Sequence, residues 1–455
     1  MAYWQEHSLG VAPQVSGFGT AATVDADFAW IQGDRPKVQF ATELVELDLM
    51  TGEIGAAPER LPGRRHGTIS FSMPLEGLKS GYDPTADDPG DTGILPHWVC
   101  MVANALGSNI AASDTAVKFW KGLHLSLSEY TAGVAVTSGV IAGCTSTLVK
   151  TFDATTSNKV SVGELVIAAT TATDTAPQMG FVKTKAGQDL TLFEASGNVA
   201  AAEDDMYGTG TAWISVNHGS QLPMTFRWNG DAEEACYILS DAVCTGFKLT
   251  WESGAVPTIE MAYSFHDFQI DKAGTGTKGG LQVPDPFQRI PQIVGVNNGR
   301  AMLGAALKCG LESCSIEYKT EIAELKYHSA TQGITGVVYK KPRINVSVSL
   351  PWVSTDLVYD AAGSSGNVGS HVWQSYLERG VATSLGVYVG SNVGRCFAFL
   401  VPSARIVAVP QVAEINGAVG YQLSIEAGAY TADASDTAET SANSPKNSPF
   451  RVSVG

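Results

Sequence analysis

Charge is scarce in this 455-residue sequence: Asp, Glu, Lys and Arg make up 16% of it, against about 25% in an ordinary soluble protein. Basic residues are the shorter supply, 29 against 45 acidic, for a net charge of −16. That balance argues against tight phosphate binding, which needs Lys and Arg to displace counterions. It leaves open a role in which nucleic acid passes without sticking. Residues 1–280 hold 16 basic and 32 acidic side chains, whereas 281–455 hold 13 of each. No apolar run approaches the ~20 residues of a membrane span. The segment after Met1 lacks a basic stretch followed by an apolar one, so no secretory signal is expected.

Chemistry is equally hard to find. The seven cysteines (Cys100, Cys144, Cys236, Cys244, Cys309, Cys314, Cys396) are odd in number and irregularly spaced, with no CxxC pair. They are expected to be buried, reduced, small apolar residues of a chain folded in a reducing cytoplasm. The eight histidines form no HxxxH or HxH pattern, which speaks against a metal centre. Asp83, Asp87, Asp88 and Asp91 make an acidic loop without the spacing or closing Glu of a calcium loop. Gly363–Gly369 is Gly-rich but lacks the Lys-Ser/Thr ending of a phosphate loop, and there is no GxSxG elbow. Glu43 and Glu46 read as a solvated strand face. The expectation is therefore no enzyme, no metal and no cofactor.

What the sequence has is glycine, 48 residues of it, with much Thr, Val, Ser and Ala, and an internal duplication. Thr42–Leu47 (TELVEL) returns as Thr320–Leu325 (TEIAEL), and Ile69–Pro74 (ISFSMP) as Val346–Pro351 (VSVSLP). Apolar and Ser residues alternate in the latter pair, the period of a half-buried strand, and the Pro ends it. Basic pairs, Arg64-Arg65 and Lys340-Lys341, precede these strands. An amphipathic stretch Leu95–Gly107 with Trp98 parallels His371–Gly380 with Trp373, and Gly suits a helix C-terminus. Cys236–Leu239 parallels Cys396–Leu400, and Gly254-Ala255-Val256 parallels Gly417-Ala418-Val419. The matches keep one order, which predicts two copies of a mainly β domain, each a sandwich or half-barrel with a short flanking helix.

Copy one is expected over 1–130 and 213–271, interrupted by a small all-β insertion at 131–212. A linker at 272–283, copy two at 284–431 and a tail at 432–455 complete the division. The insertion is expected to fold independently and to be dispensable. The first ~20 residues, the loop 83–93 and the Ser/Thr/Ala-rich 431–449 are expected to be mobile. In Thr42–Leu49, Glu46 and Asp48 share one side, and Glu324 and Lys326 take the matching places. These four residues are expected either to line a channel or to meet a neighbouring subunit, and the two basic pairs either to blunt exposed strand edges or, the favoured use, to meet acidic faces of neighbours.

The TELVEL and TEIAEL strands, the ISFSMP and VSVSLP strands and the late hairpins Cys236–Phe268 and Cys396–Tyr430 together resemble phage tail-tube proteins. The resemblance implies β-sandwich-like units that pair strands around a ring and rings that stack into a tube conducting DNA. Six domains per ring in that family implies three two-domain chains here, with the insertion on the outside. It also implies tape-measure, tail-terminator and baseplate partners, transient passage of double-stranded DNA, no membrane, and a place in the virion tail after assembly in the host cytoplasm. A negative bore would repel DNA phosphates. Alternatives are another tail or baseplate ring component, or a β-rich surface or receptor-binding protein.

Overall fold

The computed structural model of the chain describes residues 7–23, 27–31, 33–47, 59–77, 96–108, 119, 141–145, 148–151, 160–170, 177–193, 204–207, 209–215, 221–230, 235–271, 299–303, 307–326, 334–351, 382–390, 394–408, 411–415, 418–430 and 445–455. The fold is mainly β. No described helix is long and apolar enough to cross a membrane.

Copy one begins with β1 (His7–Pro13), β2 (Ala29–Ile31), β3 (Lys37–Leu47) and β4 (Glu59–Pro74). After helix α1 (His97–Leu106) come the inserted strands β5 (Ile141–Thr145), β6 (Leu148–Thr151), β7 (Leu165–Ala169), β8 (Gln178–Ala186), β9 (Asp189–Leu192) and β10 (Asp205–Tyr207). β11 (Gly210–Trp213), β12 (Met224–Gly230), β13 (Ala235–Glu252), β14 (Thr258–Phe265) and β15 (Asp267–Asp271) follow. Copy two contains β16 (Arg300–Leu303), β17 (Leu307–Gly310), β18 (Ser313–Lys326), β19 (Ile334–Pro351), β20 (Thr383–Val389), β21 (Phe397–Ile406), β22 (Gln411–Ile415), β23 (Ala418–Ala427) and β24 (Arg451–Val454).

Strand pairing repeats between the copies. In copy one β3 pairs with β4, β4 with β14, and β14 with β13. In copy two β18 pairs with β19, β19 with β23, and β23 with β22 and the end of β21. The second layers match too. β2–β1–β12–β13–β15 has its counterpart in β17–β16–β20–β21–β24. The long strands β13 and β21 each pass from one layer to the other through an irregularity. In copy one this lies at Ser240–Asp241, where Asp241 takes the left-handed conformation, and in copy two at Pro402–Ser403. A bulge bends a strand where two residues face one, so one strand can serve both layers.

The main core is an apolar cluster drawing on both copies. Alternation puts it there: Ile69, Phe71 and Met73 point inward from β4, Ile259, Met261 and Tyr263 from β14, Val346 and Val348 from β19. Helix α1 lies inside this core with all ten residues buried. It stops at Gly107, whose φ of 71° suits glycine and whose N–H closes onto Ala103 and Asn104 carbonyls. Trp98 Nε1 donates to the Glu76 carbonyl at 2.8 Å, and the Ala105 carbonyl accepts from Tyr318 of copy two at 3.2 Å.

The start of the chain differs from its expected mobility. β1 is largely buried between β2 and β12. β24, placed in the tail by sequence, is a fully buried strand between β21 and β11. The insertion also differs from a detachable decoration. Its strands run in the order β10–β7–β8–β9–β6–β5, and one side encloses its own small core. The other side, with Ile167, Phe181 and Phe193, shares a second core with Tyr388, Ala398 and Leu400 of copy two. The expected second helix at 371–380, the linker, the acidic loop, Gly363–Gly369 and 431–444 lie outside the described residues.

Candidate inter-subunit surface

The hairpin layers of the two copies join edge to edge. β13 of copy one pairs antiparallel with β18 of copy two from Gly246↔Lys319 to Glu252↔Ser313. One continuous sheet results, in the order β3–β4–β14–β13–β18–β19–β23–β22. At the junction the inward residues Phe247 and Tyr318 stack with centroids 5.1 Å apart, and Leu249 faces Ile316. β3 pairs only with β4, and β22 only with β23, among the described residues.

The sheet's other face is polar. Ser70 and Ser72 of β4, Thr250 of β13, Ser315 of β18 and Ser347 and Ser349 of β19 are half-exposed. Charges of both signs are interspersed. Lys248 stands between Glu260 on β14 and Glu317 on β18, and Lys319 Nζ lies 2.6 Å from Glu317 Oε1. Lys37, Arg343, Glu252 and Glu426 add two of each sign. The face is balanced rather than negative.

Beyond the end of β14, where β13 has crossed to the other layer, the two hairpins meet directly. Arg64 of β4 forms a two-pronged pair with Glu324 of β18, Nη1 to Oε2 at 2.6 Å and Nη2 to Oε1 at 3.0 Å. Its Nη2 is also 3.4 Å from Glu43 Oε1. His266, at the bend between β14 and β15, puts Nδ1 3.4 Å from Glu324 Oε1, yet neither ring nitrogen makes a hydrogen bond among the described residues. Burial pushes its pKa down to about 4; Glu324 works against that shift, while Arg64 and His66 add to it. The site can therefore do one thing well: fix the orientation of one hairpin against the other by a fork-to-carboxylate contact.

The residues singled out by sequence fall in three places. Arg64 and Glu324 come together in that pair, within one chain. Arg65 lies over the Phe268 ring at 5.8 Å and donates to the Phe268 carbonyl at 3.3 Å. Lys340 is exposed on β19, its backbone opposite Glu321. For Glu46, Lys326 and Lys341 the backbone is described but not the side chain, and Asp48 lies outside the described residues. Sequence reasoning missed His266, Lys248, Glu260 and Glu317. The last three sit at polar positions of alternating strands, so the alternation held that signal.

Cys236, Cys244 and Cys314 are buried. Burial pushes the Cys244 and Cys314 thiols up to about 12. No His/Cys/Asp/Glu group able to hold a metal occurs among the described residues. No protein-family model and no curated protein matches the chain.

Proposed function

We propose that this chain is a structural subunit of a phage-type tail tube, with three chains closing a ring of six similar domains and rings stacking around a channel for double-stranded DNA. The observation that carries the reading is the β13–β18 junction. It is a worked example, inside one chain, of how two copies join. The same two kinds of edge remain at the ends of the eight-strand sheet: β3, which corresponds to β18, and β22, which corresponds to the later part of β13.

Two exposed apolar side chains support this. Phe40 on β3 is 40% exposed, whereas Tyr318, which takes its place on β18, is 1% exposed because β13 covers it. Val407, between β21 and β22 at the opposite end, is 53% exposed. Open strand edges with apolar side chains are an aggregation hazard that ring closure removes. The Ser/Thr-rich, charge-balanced face would line the bore, where it offers phosphates no net attraction. Leu325 and Val338, exposed on the far half of the β18–β19 hairpin, are suited to contact between rings.

Register makes the ring testable. Counting pairs from Pro74 and Pro351, Gln39 matches Glu317 and Gln411 matches Lys248. The facing pair Lys248↔Glu317 inside the chain then becomes Gln411 facing Gln39 between chains, and Leu249↔Ile316 becomes Val412 facing Val38. Facing residues of antiparallel strands have Cα atoms about 4.5–5.5 Å apart, within disulfide reach. Cysteines at 39 and 411 should, on oxidation, give a ladder that stops at three chains, and end-on microscopy should show threefold order in stacked rings. A ladder running to six, or no cross-link in assembled protein, would overturn the three-chain ring. Isolated rings that never stack would instead indicate a baseplate-type component.

A further inference from the structure

By register, the positions of the cluster around Arg64 recur toward the two open ends of the sheet. Pro74 and Pro351 close β4 and β19, and 351 − 74 is 277; on that count Arg64 corresponds to Lys341. Lys37 and Ser315 face Ser70 and Ser347, and 315 − 37 is 278; on that count Glu43 corresponds to Glu321, and Glu46 to Glu324. Thr258 and Gly420 face the two prolines, and 420 − 258 is 162, which matches His266 to Gly428. Both of these last residues donate a backbone hydrogen bond to the bulge of the long strand, at Ser240 and Ser403. The intrachain set Arg64, Glu43, Glu324 and His266 thus has the counterparts Lys341, Glu321, Glu46 and Gly428. Three of the four keep their charge type.

Glu46 stands on β3 at one end of the sheet, and Lys341 on β19, two strands in from the other end. Register alone places them, their side chains being outside the described residues. We infer that Lys341 of one chain pairs with Glu46 of a second copy, as Arg64 pairs with Glu324 within a chain, and that this pair locks the joint between chains. The inference rests on the ring reading, since it needs β22 of one chain beside β3 of the next.

The two joints differ in kind. Arg holds a carboxylate with two parallel hydrogen bonds, whereas Lys offers a compact, strongly hydrated point charge. Gly428 also supplies no imidazole. The joint inside the chain is therefore permanent and the one between chains is the salt-sensitive one. A ring built this way is made and unmade at three places rather than six.

The test is a charge exchange in the full-length chain, read by the 39/411 cross-link and by sedimentation. Lys341→Glu and Glu46→Lys should each lower cross-link yield at least tenfold, and the double exchange should restore it. Lys341→Gln, a milder change, should shift ring dissociation to lower salt, and Lys341→Arg should shift it to higher salt. Single reversals that leave cross-linking intact would overturn the pair while sparing the ring. A folded double exchange that stays as defective as the singles would do the same. Should either reversal fail to fold, the opposite salt shifts of the Gln and Arg variants decide, and no shift in either counts against the pair. Absence of the cross-link in otherwise native protein would instead sink the ring reading itself.

Discussion

His266 shows how a single side chain can be held against its own chemistry. The imidazole is 3% exposed, beside Glu324 and Arg64, with His66 close by. Removal from water disfavours the cation and outweighs the nearby carboxylate, so the folded pKa of about 4 lies below the ~6.5 of an unfolded chain. Between those values the unfolded chain binds more protons. The resulting stability is complete above pH ~6.5 and is lost as pH falls toward 4. Asp241 has the opposite sign, because burial raises its carboxyl pKa and acid relieves that strain. The difference between wild type and His266→Asn isolates the imidazole. Denaturant titrations should show wild type losing on the order of 2–3 kcal/mol more than the variant between pH 7 and pH 4. Parallel pH profiles would mean that His266 reaches water or protonates without cost.

Among elements, the insertion is the one whose role changes most between sequence and structure. Phe181 and Tyr388 have ring centroids 6.2 Å apart, and Phe193 meets Tyr430 at 6.1 Å. Buried Arg451 lies over both Phe193 and Tyr430. Gly455 exchanges both backbone hydrogen bonds with Cys396, and a Cβ on it would meet Ile167 of the insertion. Replacing residues 141–207 by a short Gly/Ser join should therefore uncover Tyr388, Ala398 and Leu400 and give insoluble or non-assembling protein. Soluble deletion protein that still forms rings would show the packing to be incidental. The duplicated hairpins were legible because alternation over six or more residues is a local pattern. So was α1, from its amphipathic stretch and closing glycine, although all ten of its residues prove buried. β24 was not legible: four residues, RVSV, follow a Ser/Thr/Ala-rich stretch, and their partners are distant, as in the Thr211–Ser453 contact across 242 positions. Bulges hid the rest. The basic pairs align by sequence at 340 − 64, or 276, whereas register gives 277, because two residues face one in both hairpins. Arg64 and Glu324 were each visible as charges on a strand, but their pairing depends on how two hairpins meet where β13 has crossed to the other layer.

At the scale of the whole molecule, the question is what the polar face of the eight-strand sheet would do in the proposed three-chain ring. Sequence arithmetic, with −16 overall, suggests a negative bore, but the described face sets Lys37, Lys248, Lys319 and Arg343 against Glu252, Glu260, Glu317 and Glu426. Lys248 sits between two glutamates and Lys319 against one, so the field falls off within a Debye length, about 8 Å in physiological salt. DNA would then meet a hydrated Ser/Thr surface with neither strong repulsion nor a run of cations to hold it. Phosphate affinity comes from uncompensated Lys and Arg releasing counterions. Replacing Glu260 and Glu317 by Lys removes both of the carboxylates that flank Lys248 and adds roughly twelve units of positive charge per three-chain ring. Both positions lie on the face opposite the apolar core, in strands whose inward residues are untouched, so tubes should still form. They should now retain double-stranded DNA, with binding that weakens steeply as salt rises, whereas wild-type tubes should not. Retention assays over a salt series separate the outcomes. Assembled variant tubes that leave DNA as free as wild type does would put this face on the outside and send the search for the channel lining to the β12–β13–β15 layer.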